Sequence, residues 1–273
     1  MERRRVHHRK NDVQEGRTAE RLAGATERIR ELSRRQFLGR SAAAIGGLAL
    51  GSLGMPGGTR RALADEAVKT GQFIFPRLHF TVYDKTPDVW NVHLWGDVNL
   101  RREIRRLTNI NVSTEPKVVK LGDFDDMCRN PFVFMTSEGY FKLPDNEERN
   151  LREFLERGGF VLADDCVYLS KEDRFFKFYR DLINRLFPDN KMRYIPHDHE
   201  IYHIFFDFKN GCPHMQGVPH GAWGLFERGT GRIMTVATPG DIHCGWCGNY
   251  FSKEKNLEAV KMGINVVIYF LSH

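Results

Sequence analysis

Two short, wholly apolar runs constrain the fold of this chain most. Phe132-Val133-Phe134-Met135-Thr136 and Phe160-Val161-Leu162-Ala163 show no polar/apolar alternation, so each predicts a strand buried on both faces, as in the middle of a parallel sheet. Between them, residues 145–157 predict a helix. Asp145 caps its start, Leu151, Phe154 and Leu155 share one face, and Gly158-Gly159 follows its end. A strand, a crossover helix and a second buried strand require helices on both faces of the sheet.

The remaining segments extend this plan. Strands are expected at 72–75, continuing at 79–83 beyond Pro76, and at 117–121, 201–208, 222–226 and 232–238, with Arg228-Gly229-Thr230-Gly231 as the turn before the last. Helices are expected at 99–107 (Leu100, Ile104 and Leu107 inward), at 172–187 (Phe175, Phe176, Tyr179, Leu182, Ile183 and Leu186 inward, stopped by Pro188) and at 253–271. The expected fold is α/β: a three-layer, doubly wound, mainly parallel sheet. Ligands of such sheets bind outside the carboxyl ends of the strands.

The amino-terminal quarter has a different character. Residues 1–64 hold fourteen of the 41 Lys and Arg but six of the 35 Asp and Glu, leaving 27 basic against 29 acidic residues from Asp65 onward. The net charge of +6 is therefore a property of the leader. The remainder lacks the basic surplus that counterion release at nucleic acid would need. Within the leader, Ser33-Arg34-Arg35-Gln36-Phe37-Leu38-Gly39-Arg40 resembles the twin-arginine export consensus. A Gly- and Ala-rich apolar stretch of fifteen residues follows at 41–55, shorter than the roughly twenty that a membrane span needs. Ala62-Leu63-Ala64 then offers small residues for signal peptidase, with the cut before Asp65. The organisation read from this is a signal peptide over 1–64 and a single α/β domain over 65–273. The twin-arginine translocase is the partner during export, the location is periplasmic or otherwise extracytoplasmic, and the mature form has no transmembrane span.

Four motifs in the mature part occur in order: Gly158-Gly159-Phe160-Val161-Leu162-Ala163-Asp164-Asp165-Cys166; Asp198-His199-Glu200-Ile201-Tyr202-His203 with Phe205-Phe206-Asp207-Phe208; Asp241-Ile242-His243-Cys244-Gly245-Trp246; and Gly263-Ile264-Asn265-Val266-Val267-Ile268-Tyr269. On these the chain resembles domain-of-unknown-function family DUF4159. The resemblance implies a flavodoxin-like sheet similar to class I glutamine amidotransferases, and implies no activity.

An amidotransferase needs a cysteine on a sharp strand-to-helix elbow between small residues. Cys166 follows a buried strand, but Asp165 and Val167 flank it, and Asp164-Asp165 would raise its thiol pKa. No glutamine hydrolysis is expected. The densest polar run is Pro196-His197-Asp198-His199-Glu200-Ile201-Tyr202-His203; on a strand, His199 and His203 share a face. They either hold a divalent metal such as zinc or fix the loop by hydrogen bonds. Past the strand 232–238, Asp241, His243, Cys244 and Cys247 form a second group. Its CxxC reads as a redox pair, a local disulfide or two unrelated thiols. Trp90, Trp95, Trp223 and Trp246 are either sugar-stacking platforms or core and rim residues.

Three functions follow as expectations. The first is an exported envelope domain that binds a protein partner, a small molecule or a carbohydrate. The second is an envelope hydrolase built on Asp164, Asp165, His199, His203 and Asp241, either assisted by a metal on His199, His203, His243 and Cys244 or working through its carboxylates and histidines alone. The third is thiol redox chemistry at Cys244 and Cys247. The sharpest expectation is that Asp165, His199, His203, Asp241 and His243 converge on one cleft.

Overall fold

A computed structural model describes residues 71–82, 89–167, 174–217 and 221–273. The twin-arginine motif and the cleavage site lie outside the described residues. In chain order the elements are β1 (Arg77–His79), α1 (Leu94–Leu107), β2 (Val118–Lys120), α2 (Phe124–Arg129), β3 (Phe132–Ser137), α3 (Asp145–Glu156), β4 (Phe160–Asp165), α4 (Arg174–Leu186) and β5 (Arg193–Tyr194). A 3-10 turn (Glu200–Tyr202) precedes β6 (Trp223–Phe226), β7 (Ile233–Thr238), α5 (Ile242–Cys247) and α6 (Lys253–Ser272).

The seven strands form one sheet in the order β2-β1-β3-β4-β7-β6-β5. Strands β2, β1, β3, β4 and β7 run parallel, while β6 is antiparallel to both its neighbours. The two apolar runs lie side by side, Phe132 opposite Phe160 through Ser137 opposite Asp165, and every residue of both strands is buried. Alternate residues feed two cores. Phe132, Phe134, Phe160, Leu162 and Val236 face α1 and α6. Val133, Met135, Val161, Ala163 and Ala237 face α2, α3 and α4. This is a three-layer, flavodoxin-like α/β fold. Each buried Leu, Val or Phe contributes about 1.5–3 kcal/mol, so the double-sided strands are its main source of cohesion.

The structure corrects several expected boundaries. Residues 201–208 are not a strand: a single 3-10 turn is followed by turns. Ile201 and Tyr202 are consecutive and both buried against α6. Asn265 of α6 then fixes the segment by donating to the carbonyls of Ile201 (3.0 Å) and Phe206 (2.8 Å) and accepting from Phe206 N (2.9 Å). Residues 72–75 make one bridge, Phe73 to Val112, and β1 spans Arg77–His79 beyond Pro76. Helix α1 starts at Leu94, well before Asn99. Strand β5 and helix α2 carry no strong periodicity and had no counterpart in the pattern.

Candidate functional site

Strands β4 and β7 are neighbours, and their carboxyl ends bring two of the four motifs together. Asp164 and Asp165 end β4 with side chains on opposite faces of the sheet, as the period of two demands. Both are fully buried. Asp164 accepts the Thr238 hydroxyl and the backbone N–H groups of Ile242 (3.3 Å) and His243 (2.9 Å), so it satisfies open N–H groups at the start of α5. Asp165 accepts from Phe176 N at 2.7 Å in the first turn of α4 on the other face. Burial, and then the neighbouring Asp241 carboxylate, push Asp164 well above the usual carboxylate range.

Asp241 joins β7 to α5 in a left-handed conformation, φ 57° and ψ 34°. His93, just before α1, is left-handed too, φ 47° and ψ 46°. Among the described residues these are the two non-glycine positions with positive φ, and both border the same site. Such conformations cost about 1–3 kcal/mol each and are retained where the surroundings fix them. The Asp241 carboxylate is 1% exposed, accepts from Gln216 Nε2 at 2.8 Å and lies against the Cys244 thiol; burial raises its pKa to about 6.

Helix α5, six residues long, is pressed between α1 and α6. A Cβ on Gly245 would stand 2.4 Å from Ala259 Cβ, and one on Gly96 2.9 Å from His243 Nε2, so both close approaches require glycine. Trp246 Nε1 anchors α5 by donating to Ala259 O at 2.9 Å.

Beneath α5 lies a buried charge cluster. Arg77, 1% exposed, donates from Nε to Asp97 Oδ2 (3.0 Å) and from Nη2 to Asp97 Oδ1 (2.6 Å). Its Nη1 donates to the carbonyls of Trp90 and Val92, each at 2.9 Å. His243 Nε2 lies 2.9 Å from Arg77 Nη2 and 3.2 Å from Asp97 Oδ1. Burial, and then the Arg77 charge, push His243 down to about 4, so it is neutral at pH 7. Burial would raise Asp97, but the Arg77 charge and His243 outweigh it and hold the carboxyl below its usual range. The cluster ties β1, α1, α5 and the turn carrying His93 to one another.

Above it, Cys166 at the end of β4 and Cys244 in α5 bring their Sγ atoms to 3.5 Å. One ligand atom each from His93, Cys166 and Cys244 lie within 4.8 Å of one another. Both cysteines are buried and His93 is half-buried. His93 is flanked by the exposed rings of Trp95 (centroids 4.7 Å apart) and Tyr250 (5.2 Å).

A family model described as "Domain of unknown function (DUF4159)" matches residues 77–271. The chain belongs to the DUF4159 family. The matched span begins at Arg77 and so includes the whole buried cluster and all three donors. No curated protein matches the chain.

Within the DUF4159 domain the candidates named from sequence do not form one site. Asp164, Asp165, Asp241, His243 and Cys244 are at the carboxyl ends of β4 and β7. His199 packs on Phe226 (5.9 Å) and Tyr269 (5.7 Å), and the Tyr269 hydroxyl accepts from Ile233 N at the first residue of β7. That is the opposite end of a six-residue strand, roughly 16 Å away at about 3.3 Å per residue. His199 Nδ1 accepts from Ile201 N (3.2 Å), and His203 pairs with Asp207 (2.5 Å) and with His197 O (2.8 Å). These histidines hold the loop, and the ligand set His199, His203, His243 and Cys244 is not assembled. The CxxC is not a pair either: Cys247 Sγ donates to His243 O at 3.6 Å, and the sulfur facing Cys244 is that of Cys166. Trp246 is core.

Three residues of the site were missed. His93 lies in no motif. Asp97 lies before the helix start expected at Asn99, whereas the helix begins at Leu94 and buries Asp97 in its first turn. Arg77 did carry a signal, a lone charge in the apolar stretch Phe73-Ile74-Phe75-Pro76-Arg77-Leu78, because such a charge must be paired when buried.

Proposed function

We propose that the chain is exported already folded by the twin-arginine route and works outside the cytoplasm as a ligand-binding domain of the cell envelope. Its scaffold is read as glutamine amidotransferase-like without the nucleophile elbow, and its ligand site as the carboxyl ends of β4 and β7. The leader motif supports the route. Among the described residues no helix is long and apolar enough to cross a membrane.

One observation carries the binding reading. Asp164 and Asp165, the carboxylates a hydrolase would use, are fully buried and committed to the first turns of α5 and α4. The thiols of Cys166 and Cys244 and the His93 ring converge instead, beside the exposed Trp95 and Tyr250. The strand-to-helix turn with positive φ, where an elbow nucleophile would sit, carries Asp241.

Expression of the full chain with its leader, followed by cell fractionation and mass measurement, tests this. The expected product is an envelope protein cut before Asp65 whose mass under native conditions exceeds its denatured mass by a bound ligand. The variant with Arg34→Lys and Arg35→Lys stays uncut in the cytoplasm. Unchanged export of that variant would contradict the route. Equal native and denatured masses, with ester or amide hydrolysis lost in Asp164→Asn, would replace binding by catalysis.

A further inference from the structure

We propose that His93, Cys166 and Cys244 bind one thiophilic divalent cation, best matched by Zn2+, with the fourth coordination position left for an exogenous ligand. This rests on the ligand-binding reading above and names the ligand class of the same site.

Three independent segments supply the donors: the turn before α1, the end of β4 and the first turn of α5. A tetrahedral zinc centre with Zn–S of about 2.3 Å and Zn–N of about 2.0–2.1 Å separates its donor atoms by roughly 3.5–3.8 Å. The Sγ atoms of Cys166 and Cys244 are 3.5 Å apart, and all three donors fall within 4.8 Å. A disulfide would need about 2.05 Å. Donor chemistry agrees, because two sulfurs with one imidazole select zinc over the oxygen-seeking Mg2+ and Ca2+. Charge agrees as well: two thiolates in a buried site need compensation, and a divalent cation with a neutral imidazole leaves the centre uncharged.

The backbone gives a second, independent indication. Among the described residues the two left-handed non-glycine positions are His93 itself and Asp241, three residues before Cys244. Strain of this kind concentrates where a ligand is gripped. Three protein donors with one position open is the arrangement of zinc sites that take up a further ligand, whereas structural sites are closed by four. Of the three donors His93 is the one that is only half-buried, and it borders the exposed Trp95 and Tyr250.

The test is Zn2+ titration of the purified full chain, stripped with a chelator and competed against a chromophoric chelator, with metal content read independently. The expected result is one Zn2+ per chain. Cys166→Ser and Cys244→Ser each weaken binding at least about 100-fold and His93→Gln at least about 10-fold, since losing even an outer partner of a ligand costs about 10–100-fold. Since the buried cysteine variants can fail to fold, the half-buried His93→Gln, checked by circular dichroism, is decisive. Undiminished Zn2+ affinity in a folded His93→Gln overturns the site. So does a count of three free thiols in the denatured, unreduced protein, because it would mean that a disulfide between Cys166 and Cys244 replaces the metal; five are expected. A native mass surplus without any metal overturns this inference and leaves the binding reading standing, whereas no surplus and no Zn2+ overturns both.

Discussion

Replacing Asp97 by Asn tests whether the buried charge cluster holds the site together. Arg77 is 1% exposed, and Asp97 is the acidic side chain it contacts, at 2.6 and 3.0 Å. His243, also against the guanidinium, is neutral and supplies no charge. Asn keeps the shape but removes the charge and turns one amide NH2 toward a guanidinium donor. Breaking a buried pair from one side costs about 3–5 kcal/mol, a large share of the roughly 5–15 kcal/mol by which a domain is stable. Urea unfolding reads it. With a slope near 2 kcal/mol per M, the midpoint should fall by about 2 M. The double variant Arg77→Met/Asp97→Leu should recover much of the loss, because an apolar pair replaces both charges at little cost. Recovery stays incomplete, because the Trp90 and Val92 carbonyls lose their Nη1 donor at about 1–3 kcal/mol. The sign with pH follows from the depressed Asp97 pKa. Above the unfolded value of 3.8 the carboxylate is ionised in both states and its contribution is complete. Below it the unfolded chain takes up a proton first and the contribution is lost. The gap between wild type and Asp97→Asn should therefore hold constant from pH 8 to pH 5 and close below about pH 4. An Asp97→Asn protein within 1 kcal/mol of wild type at pH 7, or a gap that closes between pH 8 and 6, would refute the reasoning.

Asn265→Ala removes three hydrogen bonds to the 201–206 segment. It should cost about 2–4 kcal/mol in denaturant unfolding without changing ligand mass in the native protein. Gly96→Ala would gain up to about 1 kcal/mol of helix propensity, but its Cβ meets His243 Nε2 at 2.9 Å and Cys247 Sγ at 3.1 Å. Because that ring is held by Arg77 and Asp97, overpacking at about 1–3 kcal/mol should win, giving a lower thermal midpoint.

The legible part of the fold was the part with one dominant force. Strands β3, β4 and β7 are buried on both faces, so apolar runs alone mark them, and α3 and α4 show their inner faces through period. Residues 201–208 misled because their aromatic residues are ordered by one distant side chain, Asn265, which no local pattern announces. The carboxylates Asp164 and Asp165 were correctly placed at a strand end. Their engagement with the first turns of α5 and α4 depends on which helix each face carries, and so on topology. His93 enters the site through a left-handed turn and a neighbour far along the chain, Cys244, and residue spacing contains neither.

The claim that the carboxyl ends of β4 and β7, and not the His199 loop, hold the ligand is tested most directly by native mass measurement of two variants. Cys166→Ser should lose the mass surplus of the envelope protein, and His203→Ala should keep it in full. Loss in His203→Ala with retention in Cys166→Ser would place the ligand at the opposite end of the sheet and contradict the account.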